Sequence, residues 1–312
     1  MTKTTKTKTK TTTTTDDFDS PWKGIIERYF PDLINFFFPN LYTIIDWTHA
    51  PVFLDKELQK LLRNAQEGKR LADKLVQVRL RNGEPAILYI HLEIQGQYDK
   101  NFPERMFIYY YRFFDHYRHV ISLAILTDDD ASWRPQQYQR EFAGCKLTFQ
   151  FPTIKLLDYW DKWKDLEQST NPFAMVVMAH LRGLETQRLP ARRLYWKVEL
   201  YKWLHQAHYT SQQILDLFWF MDWVLTLPEP LEQQFEVVYQ QYEEANNMEY
   251  VTSVERRGIQ KGLEQGLQQG LQQGILQNLR ANILQILRVR FKQVPKPLIK
   301  TLQSIEDTSR LS

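Results

Sequence analysis

The chain has 312 residues, room for one large domain or two small ones. Its 43% hydrophobic and 25% charged residues are ordinary for a globular protein, and 40 Lys+Arg against 37 Asp+Glu leave +3, so bulk charge neither requires nor excludes nucleic acid. One cysteine, Cys145, excludes an intrachain disulfide framework and a cysteine-rich zinc module.

Residues Met1–Thr15 are almost wholly Thr and Lys. They offer no apolar surface to offset ordering entropy and read as a disordered, solvated tail. They also lack the apolar core of a secretory leader. Apolar runs such as Leu33–Phe38 fall far short of the ~20 residues of a membrane-spanning helix. The expectation is a cytoplasmic protein with no membrane partner.

The first ordered element begins at Asp19-Ser20-Pro21-Trp22, where Ser20 can cap a helix that has Pro21 at its first position. Trp22, Ile25, Ile26 and Tyr29 form its apolar face, and Glu27 lies off that stripe. Pro31 and Pro39 bracket a second short helix, and Lys56–Glu67 reads as another, closed by Gly68. Leu75–Leu80 and Ala86–Ile94 are β-rich runs on either side of Asn82-Gly83, a hairpin signature. Asn101–His116 is aromatic and helical in spacing. Val120–Leu126 reads as a strand buried on both faces, and Lys146–Phe151 as one more strand. Alternating helices and strands predict an α/β domain over residues 18–165.

A helical region follows over 172–250, with candidate helices Phe173–Leu184, Arg192–Gln206, Ser211–Leu225 and Leu231–Asn246. Thr210 and Gln213 form a capping box for the third. Residues 255–312 carry glycines at a period of four, from Gly258 to Gly274, each followed by Leu or Ile, and then a basic amphipathic helix over Asn278–Phe291. Each Gly costs ~1 kcal/mol in a helix against Ala. Close packing between subunits would offset that, which suggests a homo-oligomer, most simply a dimer; a flexible tether is the alternative.

Chemistry concentrates at the hairpin. Asp73 opens its first strand, and Glu93 and Gln95, two apart, share a face near the end of the second. Two carboxylates and an amide oxygen are hard donors suited to Mg²⁺ or Mn²⁺. Glu27 could reach across to supply another carboxylate. A two-residue Asn82-Gly83 turn would put Asp73 opposite Leu92. One further loop residue puts it opposite Glu93. A shared site therefore demands an odd-length loop or a bulge, with the two carboxylates within ~5 Å of each other. Lys69, Arg70 and Lys74, with Arg105 and Arg112 on the following helix, are candidate phosphate contacts. The alternative places those arginines at a solvated rim and Tyr109 between them in the core. The pairs His116/His119 and His205/His208 lack zinc-spaced partners and read as surface histidines. No GxxxxGK[ST] or GxSxG string occurs. Cys145 reads as a small buried apolar residue, and Trp196, Trp203, Trp219 and Trp223 as helix-packing anchors.

The strings Asp19-Ser20-Pro21-Trp22, Leu71-Ala72-Asp73-Lys74-Leu75-Val76, His91-Leu92-Glu93-Ile94-Gln95-Gly96 and Arg105-Met106-Phe107-Ile108-Tyr109 resemble the Rpn-type group. These are recombination-promoting nucleases, also labelled putative transposases, of the PD-(D/E)XK superfamily. The resemblance covers residues 18–165, and the Gly-Leu repeat is similar to tails on such proteins. It implies a restriction-endonuclease-like core, a mixed sheet flanked by helices, and metal-dependent cleavage of DNA. It implies Asp73 and Glu93 as ligands of Mg²⁺ or Mn²⁺. This chain departs from the motif twice: Ala72 stands for its proline and Gln95 for its water-activating lysine. The rival expectation is therefore a nuclease-derived scaffold that binds DNA or protein without cutting.

Overall fold

Prolines set the helix starts. The computed structural model describes residues 21–62, 72–81, 86–207 and 209–246, together with Ile283 and Leu287. Helix α1 (Pro21–Arg28) begins on a proline and buries Trp22, Ile25 and Ile26. Helices α2 (Phe30–Phe37) and α3 (Pro39–Ile44) likewise carry proline in their first turns, where no backbone donor is needed. A two-residue strand, β1 (Val52–Phe53), leads into α4 (Asp55–Leu62), which buries Leu58 and Leu62. The expected end of that helix near Gly68 lies outside the described residues.

Strands β2 (Ala72–Arg79) and β3 (Ile87–Gln95) form the expected hairpin. Helix α5 (Phe102–Tyr117) crosses to β4 (Val120–Leu126), which is parallel to β3. Strands β5 (Gln137–Phe142) and β6 (Cys145–Gln150) pair only with each other, through a two-residue turn at Ala143-Gly144. Strand β7 (Thr153–Lys155) then adds parallel to β4. The result is a mixed five-stranded sheet, in order β1-β2-β3-β4-β7, and a separate two-stranded ribbon. The run expected at Lys146–Phe151 is thus a strand, but one that belongs to the ribbon. Cys145 is exposed at the ribbon's turn, not buried as its residue type suggested.

Both faces of the central strands are covered. On one, α4 and α5 bring Leu58, Leu62, Tyr109 and Phe113 against Leu75 and Val120, and Phe102 and Met106 against Ala124 and Leu126. On the other lie Val76, Val78, Ile90, Leu92 and Ile94, all buried. Tyr109 is fully buried, which decides between the two roles open to it in favour of the core.

A 3₁₀ segment, Leu156–Lys162, leads to α6 (Trp163–Gln168), α7 (Pro172–Glu185), α8 (Pro190–Gln206) and α9 (Ser211–Val224). Asn171 caps α7 by accepting from the Phe173 amide at 2.9 Å. Thr210 and Gln213 close the expected capping box on α9. Helix α7 is buried nearly all round, from Phe173 to Leu181. Its Arg182 guanidinium lies 3.3 Å from the Trp196 ring centre and 4.0 and 4.9 Å from those of Trp163 and Trp160, a cation held by ring quadrupoles. Trp203 completes the cluster, 6.5 Å from Trp196. Trp223, by contrast, is 43% exposed and does not anchor packing as expected. Asp216 of α9 accepts from Arg28 and, at 2.7 Å, from the Tyr29 hydroxyl, tying α1 to α9.

Residues Met1–Phe235 form one compact unit and Glu236–Ser312 a second. Helix α10 (Glu229–Ala245) runs from the first into the second. The Thr/Lys tail, Lys69, Arg70, residues 82–85 and the Gly-Leu repeat lie outside the described residues. Of the expected amphipathic helix, Ile283 and Leu287 are described and both are helical.

Candidate metal and nucleic-acid site

The hairpin register decides whether two carboxylates can share one place. Asp73 pairs directly with Glu93, within an unbroken ladder from Ala72↔Ile94 to Arg79↔Ile87. The Leu80 amide donates to the Ala86 carbonyl at 3.1 Å, which continues that register with an odd number of residues between the two. Partners in a ladder project from the same face. Asp73, Glu93 and, two residues on, Gln95 therefore share the face that α5 covers. This is the register a shared site demands.

Glu93 is fully buried and Gln95 nearly so. A buried carboxylate is costly unless paired, and the partner is Arg105 from the first turn of α5. Its Nε and Nη2 donate to Glu93 Oε1 at 3.2 and 2.9 Å. Nη2 also donates to Gln95 Oε1 at 2.9 Å, while Nη1 donates to Asp99. The Gln95 amide in turn donates to the Gln97 carbonyl at 2.7 Å. Burial alone would lower the Arg105 pKa, but the charges of Glu93 and Asp99 outweigh it and hold the guanidinium above its ordinary value. His91, fully buried, places Nε2 3.5 Å from Glu93 Oε2 and Nδ1 3.1 Å from the Ser122 hydroxyl. Its ring leans on Tyr109 and Phe113.

Lys74 projects from the other face of β2. It is buried and its ammonium donates to Glu27 and, at 2.7 Å, to Asp55. Desolvation pulls its pKa down, but the two carboxylates outweigh this and hold it above the usual lysine value. These contacts correct three expectations. Glu27 faces Lys74 across the strand from Asp73 and Glu93, so it does not join their site. Lys74 and Arg105 are internal counter-ions, not surface contacts for phosphate. Arg112, expected beside them, donates through Nη1 to the Leu61 carbonyl at 3.0 Å, tying α5 to α4. Lys69 and Arg70 lie outside the described residues.

The sequence reading missed the bond between Arg105 and Glu93, although a signal was present. Arg105 stands four and eight residues before Tyr109 and Phe113, in the stripe of α5 that packs on the sheet. An arginine in a core stripe implies a buried acid beneath it. A second buried pair also went unmarked: Lys155 of β7 donates to Asp128 at 2.5 Å, beside Trp133. Next to it, His180 of α7 sits 2.6 Å from the Thr127 carbonyl through Nε2.

The donor set suits a hard divalent ion in type: two carboxylates facing one another and an amide oxygen on the same face. Among the described residues, no group of three or more His, Cys, Asp or Glu is arranged to hold a metal. Glu93 Oε1 and Gln95 Oε1 are moreover already bound by a guanidinium. The chemistry fits, and Arg105 stands in competition. Comparison with family profiles, with curated proteins and with solved structures found no match to this chain. Among the described residues no helix is long and apolar enough to cross a membrane.

Proposed function

We propose that this protein is a metal-dependent DNA endonuclease of the PD-(D/E)XK kind, acting in recombination or mobile-element biology. The observation that supports this most is the direct pairing of Asp73 with Glu93, with Gln95 on the same sheet face. In this reading Asp73 and Glu93 hold Mg²⁺ or Mn²⁺, which supplies an activated water and stabilises charge on the phosphodiester. Before the ion binds, Arg105 neutralises the buried Glu93 carboxylate and is held as well by Gln95 on the same sheet face. With Lys74 and Arg105 engaged internally, Lys69, Arg70 and the partly exposed Arg112 are left as the proposed contacts to DNA phosphates. The C-terminal segment 255–312 is proposed to assemble two copies, so that two sites address two strands.

The test is nicking of supercoiled plasmid with Mg²⁺, Mn²⁺ or EDTA, using the full chain and the D73N and E93Q variants. Cleavage that needs the metal and both carboxylates is the expected result. DNA binding without nicking at high protein concentration would overturn it. That outcome would favour the second reading, a scaffold that binds without cutting, which the Gln95-for-Lys departure and the guanidinium on Glu93 support.

A further inference from the structure

We propose that Arg105 is a built-in competitor for the cation: a divalent ion engages Glu93 and Gln95 only as the guanidinium gives them up and moves onto Asp99. This rests on the reading that the Asp73–Glu93 site takes a metal, and it adds to that reading a control on affinity.

Three features of the site carry it. First, the guanidinium binds the very oxygens a metal would use. Two of its N–H groups meet Glu93 Oε1 and a third meets Gln95 Oε1, all within 3.2 Å. A guanidinium at that distance and a divalent ion on the same oxygens repel strongly inside a protein, where screening is weak. Second, the arginine has somewhere to go. Its Nη1 already donates to Asp99, whose side chain is 23% exposed, while that of Glu93 is fully buried. Moving outward exchanges one carboxylate for another and lets the cation approach water. Third, Arg105 cannot yield by losing its proton. Arginine stays charged in proteins. Room for a cation at Glu93 Oε1 and Gln95 Oε1 therefore comes from displacement.

The proposal makes predictions of opposite sign for two neighbours. In R105Q the competitor is gone, and Mn²⁺ should bind about tenfold tighter or more than to wild type. In D99N the alternative anchor is lost, the guanidinium stays on Glu93, and Mn²⁺ should bind about threefold weaker or worse. E104Q removes one negative charge from the exposed neighbouring position on α5 and serves as the control for charge alone. Its affinity should stay within error of wild type. The measurement is calorimetric titration of the full-length chain with Mn²⁺ and no DNA, with circular dichroism to confirm that each variant is folded. If R105Q does not fold, D99N against E104Q decides.

Equal or weaker binding by R105Q, or D99N matching E104Q, overturns the role of Arg105. The metal site itself survives that result if wild type binds Mn²⁺ and the D73N/E93Q double variant does not. Absence of binding in wild type, R105Q and D99N alike would instead remove the metal reading, and this proposal with it.

Discussion

Two antiparallel hairpins in this chain are built on different logic. The ribbon β5–β6 turns through Ala143 and Gly144, with φ of 50° and 81°, the two positive values that a primed two-residue turn requires. Its register follows from that turn. Its polar residues Gln137, Gln139, Glu141, Lys146 and Gln150 are exposed, where they cost little. The central hairpin β2–β3 has its register fixed from the other side, by burial. Leu75, Val76, Ile90 and Leu92 are fully enclosed, and a slip of one residue would turn them all to the wrong face. Yet this enclosed hairpin carries Lys74, His91, Glu93 and Gln95 at the end away from its loop, each buried. Charge is tolerated there only because each ion has a partner. A fold that accepts such groups among enclosed apolar strands departs there from the pattern kept elsewhere in the sheet.

That contrast can be broken by removing partners. The largest effect should come from E93A, which leaves the buried Arg105 guanidinium with Asp99 as its one remaining carboxylate partner among the described residues. A loss of about 3 kcal/mol is expected in urea unfolding. The E93L/R105L pair should recover most of it, since replacing both ions together removes the uncompensated charge. If the double variant is as unstable as the single, the pair does not set the cost. K74M should cost about 1 kcal/mol. Its partners Glu27 and Asp55 have side chains 45% and 42% exposed, so water can take over from the lysine. A loss as great as that of E93A would mean that the two faces of the hairpin are equally sensitive.

The helix that covers the sheet end gives a pH test. Burial holds the His180 pKa below the ordinary histidine value. The unfolded chain therefore binds the proton more readily than the folded one, and stability is full above the unfolded histidine pKa and falls as pH drops below it. H180Q should flatten that slope between neutral and mildly acid pH. An unchanged slope would exclude His180 as its source. The smallest effect belongs to the ribbon. A143G relieves a positive φ in a residue with a Cβ and should raise stability by up to about 1 kcal/mol. No gain would mean that the unfolded-state entropy of glycine cancels the relief.

Much of the first unit was legible before its coordinates. Pro21 and Pro172 mark helix starts, and Val120–Leu126 is bounded as its apolar run suggests, whereas Pro39, read as the end of the second helix, opens α3. Counting loop residues left two registers open, and the pairing of Asp73 with Glu93 is the one that a shared site demanded. The ribbon strand β5 was not legible. Gln137–Phe142 has only Tyr138 and Phe142 as aromatic positions among four polar ones and no buried face to give it a pattern. The partners of Lys74 and Arg105 were missed for another reason. Cations near a candidate site read as ligand contacts when only spacing is considered, whereas burial assigns them to acids on neighbouring elements. Glu27 was misplaced by the same omission, since helix periodicity says which residues share a stripe but not which sheet face that stripe meets.

The cluster around Arg182 gives the protein an optical signature. Four of its nine tryptophans, Trp160, Trp163, Trp196 and Trp203, stand within 6.5 Å of a neighbour, and Trp160 and Trp163 are nearly parallel at 5.3 Å. Indoles so close couple their electronic transitions, giving paired bands of opposite sign in circular dichroism. The part of the coupling that joins Trp163 to Trp196 and Trp203 exists only while α6 stays packed against α8. Its loss would report that these helices have parted, on a channel separate from the amide signal that follows the backbone.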